Sequence, residues 1–248
     1  SRTINGIHKI TYKRKIGGTR WYADEAGLQN LMREFRNTIS EQWYVDMDMC
    51  NSRPSIILNL AKRINQDMPM LTHYINNRDE WLETTNAKQD IIAITSGGSK
   101  HYCRGIKKRI ALHDEITEFY NKLFGTRESE SWDESPEEGE DSDNMNSKIF
   151  HEMTKYENEI LDVVREYYNH DPRLVLIFDG LMVPRDIVQP NDCDNIERLL
   201  ANKKWDVKFK AKEMETIDLS NLQLQPYVMN NDKMIQEIYN ELEKVITA

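Results

Sequence analysis

Two short stretches each place an aspartate where an apolar run ends or turns. The first is Trp43-Tyr44-Val45-Asp46-Met47-Asp48-Met49-Cys50-Asn51. Its alternation puts Tyr44, Asp46 and Asp48 on one face of a strand and Val45, Met47 and Met49 on the other. The second is Leu174-Val175-Leu176-Ile177-Phe178-Asp179-Gly180-Leu181-Met182-Val183. A carboxylate at the tip of a buried strand is costly unless something positive meets it. Two such tips brought together would hold divalent metal, with water and a substrate's own phosphates completing the shell, as Mg²⁺ prefers. Two ions about 3.5–4 Å apart neutralise the attacking and leaving oxygens of phosphoryl transfer. Asp48 and Asp179 are therefore the candidate metal ligands, with Mg²⁺, or Mn²⁺ in its place, as the ion. Asp46 lies two residues before Asp48, roughly 6.5–7 Å back along the strand. It either adds charge to the site or pairs with a basic residue. Asp48 is preferred because it stands at the strand's exit, beside the helix entry at Asn51. Asp-Gly between apolar runs is also what a two-residue hairpin asks for, so Asp179 has a purely structural explanation as well.

A triphosphate needs fixed positive charge too. Lys88 lies early in an expected helix and precedes Gly97 by nine positions. A helix offering a lysine and its open amino end suits phosphate, although a helix-surface lysine is ordinarily just solvated. Other basic residues gather as Lys13-Arg14-Lys15, then Arg20, Arg33 and Arg36, and again as Lys100, Arg104, Lys107, Lys108 and Arg109. Each cluster is either a solvated face or a surface for a polyanion, which feels charge within about 8–10 Å.

The elements that must position these groups follow from period and punctuation. Residues 7–23 read as strand-rich around Gly17-Gly18, and 26–40 as a helix. Strand 43–49 comes next. Asn51-Ser52 caps a helix with Pro54 in its first turn and Ile56, Ile57, Leu60 and Ile64 as its core stripe. Further helices are expected over 69–83, over 86–96 before Gly97-Gly98, over 105–123 and over 148–169. Strand 173–178, a turn at Asp179-Gly180 and strand 181–184 form a hairpin. A helix near 193–202, a strand near 205–213 and a helix near 230–246 complete an α+β chain. Residues 127–147 are acidic, Ser-rich and poor in apolar groups, and read as a disordered loop.

Composition sets the bounds. The chain has 248 residues, 39% of them hydrophobic, enough for one large domain or two small ones with a real core. Its net charge of −9 is concentrated, because residues 128–143 hold nine acidic residues and no basic one, and acids and bases balance elsewhere. No run of about 18 apolar residues exists, and residues 1–20 lack a signal-peptide core. No membrane partner is expected. The three cysteines, Cys50, Cys103 and Cys193, form neither a disulfide framework nor a zinc motif. A reducing, intracellular compartment, not a secreted one, fits them. Ser1 in place of Met is expected of a processed chain or a fragment.

These residues resemble a known arrangement. Arg20-Trp21-Tyr22-Ala23 followed by Gly27-Leu28-Gln29-Asn30-Leu31 looks like a motif of the family A DNA polymerases, where an Arg precedes a Leu-Gln-Asn. Asp48 looks like the first catalytic aspartate, Lys88 through Ser96-Gly97 like the fingers helix, and Asp179 like the second catalytic aspartate in its hairpin. The four motifs also occur in the family's order. A closer similarity is to the transposon-virus polymerases, divergent relatives of family A and of the single-subunit phage-type RNA polymerases. Their pattern Tyr-x-Asp-x-Asp-x-x-Asn-x-x-Pro is similar to Tyr44 onward, through Leu58, with Arg33, Glu34 and Arg36-Asn37-Thr38 before it. The resemblance covers roughly residues 15–215.

That resemblance implies a right-hand polymerase palm, a small antiparallel sheet backed by helices, with a helical fingers-like insertion. It implies one catalytic domain, with palm at 1–60 and 148–248, fingers-like helices at 61–126 and the acidic loop at 127–147. The implied activity is that of a template-dependent DNA polymerase of a virus, phage or mobile element, using two-metal chemistry. Asp48, Asp179 and Lys88 are catalytic in that scheme. Lys88, Ser96, Gly97, Asn51 and Arg53 bind the nucleoside triphosphate, while Arg20, Gln29, Asn30, Arg33 and Arg36 bind primer and template DNA. A replicative helicase module is an implied partner. The chain departs from family A at Thr84 for an Arg, Arg53 for a Glu, Ser96 for a Tyr, Phe178 for a His and Gly180 for a Glu, so sugar selectivity does not carry over. Two alternatives stay open. One is a catalytically degenerate accessory that binds nucleic acid. The other is a primase of the archaeo-eukaryotic type, read from Asp46-x-Asp48, which lacks its Ser-x-His element here.

Overall fold

Strands and helices segregate along the chain much as the periodicity predicts, into a mixed α+β structure with small antiparallel sheets. The computed structural model describes residues 3–4, 7–14, 19–24, 27–125 and 145–218. Two compact units emerge. The first takes the described residues of Ser1–Asp48, Tyr168–Pro190 and Ala211–Ala248, and the second takes those of Met49–Tyr167 and Asn191–Lys210.

The first unit holds the strands, apart from Met49, Phe209 and Lys210 at the ends of two of them. β1 (Thr3–Ile4) pairs antiparallel with β2 (Ile7–His8), and β3 (Tyr12–Arg14) with β4 (Trp21–Ala23). The Gly17-Gly18 turn lies outside the described residues. The helix expected over 26–40 divides into a 3-10 turn at Leu28–Asn30 and an α-helix, α1, at Arg33–Ser40. Side-chain bonding explains the break. Gln29 is buried and accepts from the Ala23 amide at 2.7 Å while donating to the Trp21 and Leu176 carbonyls, each at 3.1 Å. That anchors its turn separately, and Leu31 then runs extended at φ −80°, ψ 148°.

β5 (Tyr44–Met49) bears out the alternation, with Met47 and Met49 buried. β6 (Val175–Ile177) and β7 (Gly180–Pro184) form the hairpin. With β8 (Phe209–Lys212) they make a four-stranded sheet of order β6-β7-β5-β8. The hairpin turn sits one residue earlier than predicted. Ile177 pairs with Gly180, so Phe178 and Asp179 are the turn residues and Gly180 opens β7. Phe178 takes the left-handed conformation (φ 51°), which a bulky residue rarely adopts. Gly180 is needed for a different reason, because a Cβ there would meet the Met47 carbonyl at 2.7 Å. The outer edge of β6 is not left bare. The Leu176 amide donates to the Tyr12 hydroxyl at 3.2 Å, and the Leu176 carbonyl accepts from Gln29. Such cover keeps an edge strand from pairing elsewhere. Burial pushes the Tyr12 phenol up to about 12.

The second unit is helical. α2 (Ser52–Arg63) buries Ile56, Ile57 and Leu60, but Ile64 falls at the helix end and is exposed. Asn51 precedes it in the left-handed region (φ 47°) and makes no side-chain capping bond, so the predicted cap is not formed. The helix expected over 69–83 is broken at Asn77 into α3 (Pro69–Asn76) and α4 (Arg78–Trp81). The open end of α3 is closed by Glu115, which accepts from the amides of Met70 and Leu71 at 2.9 and 2.8 Å. α5 (Ala87–Thr95) stops before Gly97, whose φ of 80° ends it as predicted. α6 (Lys107–Phe124), α7 (Met145–Tyr167) and α8 (Asp192–Asn202) complete the unit. Most of the segment read as a loop at 127–147, and the C-terminal helix expected at 230–246, lie outside the described residues.

Candidate active site

Strand register brings the two singled-out aspartates to one end of one sheet. Asp48 pairs with Gly180, and Asp179 is the residue just before it. The Asp48 carboxylate leans over that bare glycine, with Oδ1 at 3.1 Å from where a Cβ would stand. Asp46 lies on the same face, opposite Met182. That face is part apolar, since Ile177, Met182 and Met214 are buried together with Leu28, Tyr44 and Val175 packed against them. The surroundings explain the chemistry of Asp46. Burial raises its carboxyl above the usual range and the neighbouring Asp48 charge adds to this, while Lys212, Arg36 and Arg33 pull the other way.

Three cations therefore face two carboxylates here. Lys212, at the end of β8, forms an ion pair with Asp48 Oδ2. Arg36, only 9% exposed, acts on Asp46 from α1. Burial lowers the affinity of Arg36 for its proton and the Asp46 charge restores part of it. Arg33 is exposed one turn earlier. Arg33 and Arg36 are the pair expected to meet nucleic acid, whereas Lys212 belongs to none of the basic clusters that stand out in the sequence. A signal existed, because in Phe209-Lys210-Ala211-Lys212 alternation sets both lysines opposite the buried Phe209.

The other first-unit residues fall nearby in the fold or serve it. Arg20 places its guanidinium 5.4 Å from the centroid of the Phe178 ring. Phe178 is 40% exposed at the hairpin tip, next to Asp179. Gln29, expected to meet nucleic acid, spends its amide on three backbone groups instead. Asn30 is exposed at the end of the same turn.

The expected triphosphate-binding residues all belong to the second unit. Lys88 is the second residue of α5 and exposed, with no ion pair among the described residues. Ser96 and Gly97 end that helix. Arg53 on α2 donates to Ser96 Oγ at 2.8 Å, which joins two residues singled out from separate motifs. Asn51 holds the tight entry to α2. Thr84 accepts from Arg109 Nη2 at 2.6 Å. Arg109 also donates to Asp90 at 2.7 Å, and Arg104 grips the same carboxylate at 2.6 and 3.0 Å. Hydrogen bonds from Arg104 hold the Asp90 carboxyl below its usual range against the opposing effect of burial, and the charges of both arginines reinforce them.

The hard carboxylate oxygens of Asp48 and Asp179 are of the kind that suits Mg²⁺. Among the described residues no three His, Cys, Asp or Glu side chains gather as a group that could hold a metal ion. Among them, too, no helix is long and apolar enough to cross a membrane. No protein-family model, no curated protein and no solved structure matches this chain.

Proposed function

We propose that this chain is a template-dependent nucleotidyl transferase, a DNA polymerase of the transposon-virus type, working through two-metal phosphoryl transfer at Asp48 and Asp179. One observation carries the proposal. Asp48 pairs with Gly180, and this sets Asp179 beside it on the same end of the sheet. On this reading the four-stranded sheet is a polymerase palm. Mg²⁺ bound there would supply Lewis acidity to the primer 3′-hydroxyl and neutralise charge on the departing pyrophosphate. Asp48, at the end of β5, and Asp179, in the hairpin turn, would hold the metal. Lys88, free of any ion pair among the described residues, is suited to hold triphosphate oxygens. Arg20 and Phe178 form a cationic and aromatic surface of the kind that meets nucleic-acid backbone and base.

Calorimetric titration of a deoxynucleoside triphosphate with and without Mg²⁺ tests this. Binding that requires metal in the native chain and is lost in Asp48→Asn supports the enzyme. DNA binding without any metal-dependent triphosphate binding contradicts it and favours a nucleic-acid-binding accessory.

A further inference from the structure

Asp48 lies between two neighbours, because β5 has β7 on one side and β8 on the other. Its two oxygens are divided between them. Oδ1 stands over Gly180 on the hairpin side, and Oδ2 is held by the Lys212 ammonium on the other. Neither side chain is fully in water, with Lys212 31% and Asp48 20% exposed. The pair is therefore screened less than a surface pair and binds more firmly. Lys212 is also the largest opposing charge felt by Asp46, so one ammonium serves both carboxylates of the strand. A divalent ion on Asp48 would meet that ammonium as a like charge at contact range, and the two compete for the same carboxylate.

We propose that Lys212 is an internal counter-ion for Asp48 that divalent metal displaces, and that the released ammonium then binds phosphate oxygens of the metal's nucleoside triphosphate. This rests on the assignment of Asp48 as a metal ligand. Lys212 is thus a positioning residue before metal arrives and a phosphate contact afterwards. The hand-over keeps the site near neutral in each state: ammonium on carboxylate first, metal on carboxylate and ammonium on phosphate second. No bond is made or broken.

The test uses the full chain and two probes, Mn²⁺ alone and Mn²⁺ with a non-hydrolysable deoxynucleoside triphosphate analogue. Free Mn²⁺ is read by electron paramagnetic resonance. Removing one adjacent positive charge in Lys212→Met tightens binding of Mn²⁺ alone by roughly tenfold. The same substitution weakens binding of the analogue by several fold, whereas Lys212→Arg keeps both native affinities. Unchanged or weaker Mn²⁺ binding in Lys212→Met overturns the proposal, and so does unchanged analogue binding. Asp48→Asn separates this from the parent assignment. Native Mn²⁺ affinity in Asp48→Asn removes Asp48 as a ligand and the functional reading with it. Mn²⁺ binding lost in Asp48→Asn but native in Lys212→Met leaves the function standing and discards only the counter-ion. A measurement on the native chain guards against misfolded variants. Acetylation of Lys212, followed by mass spectrometry, speeds up several fold when Mn²⁺ is added, and an unchanged rate contradicts displacement.

Discussion

At the residue scale, the site is a balance of charges on a half-apolar floor. Asp46 sits opposite Met182 with Asp48 beside it, and its carboxyl is raised first by burial and then by that neighbour. A carboxyl raised in the folded state favours folding fully below its unfolded value, and that contribution is lost as pH rises through the folded value. Asp46→Asn should therefore raise the chemical denaturation midpoint at neutral pH, and the gain should fade in acid below the ordinary aspartate range. A lower midpoint at neutral pH would mean that Arg36 and Lys212 outweigh burial. Gly180 is the second test at this scale. Gly180→Ala puts a Cβ 2.7 Å from the Met47 carbonyl and 3.1 Å from Asp48 Oδ1. It should cost about 1–3 kcal/mol of stability, as overpacking does, and displace the Asp48 carboxylate. Thermal melting with and without Mg²⁺ checks both effects. The aspartates were legible in the sequence because strand period two shows in six residues. Alternation sets Lys212 on the polar face of its strand, but its pairing with Asp48 was not legible, because that partner lies on a neighbouring strand far away in sequence and no local pattern states the register.

Among the elements, α5 ends where Gly97 predicts, but two breaks inside expected helices come from bonding and turns that periodicity does not show. Gln29 splits one expected helix, and the turn at Asn77 splits another. The hairpin turn moved by one residue because close approach of β5 to β7 needs the glycine within the strand rather than at its tip. α5, which carries Lys88, is fixed by a buried charge node invisible to periodicity. Asp90 is 1% exposed and Arg109 2%, and Arg104 reaches the same carboxylate from a left-handed backbone position (φ 49°). Asp90→Ala strands a buried guanidinium and should cost about 3–5 kcal/mol. Because Asp90 is held below its usual value, its contribution is present above that value and lost as pH falls through the folded one. The stability gap between native and Asp90→Ala chains should thus close in strong acid, as urea midpoints across pH would show. A gap that persists there would assign the effect to packing alone.

For the whole molecule, the aspartates and the primer and template candidates fall in one unit, and the triphosphate candidates fall in the other. The sequence conveyed the mixed α+β class and nearly every helix and strand among the described residues. It could not convey the division into units, since Asp48 and Met49 are adjacent in one strand yet belong to different ones. The net charge of −9 says little about partners, since nine of the acidic residues crowd into one segment and cations face the carboxylates of β5. Metal-dependent, templated nucleotide addition at Asp48 and Asp179 is the activity proposed for the chain. Its most direct test is extension of a labelled primer with Mg²⁺, on DNA and RNA templates, with deoxy- and ribonucleotides offered separately. Templated extension is expected of the native chain, reduced on the order of 10²–10³-fold or more in Asp48→Asn and in Asp179→Asn. Extension at native rates in either variant, or no extension by a native chain that still binds DNA, would contradict it.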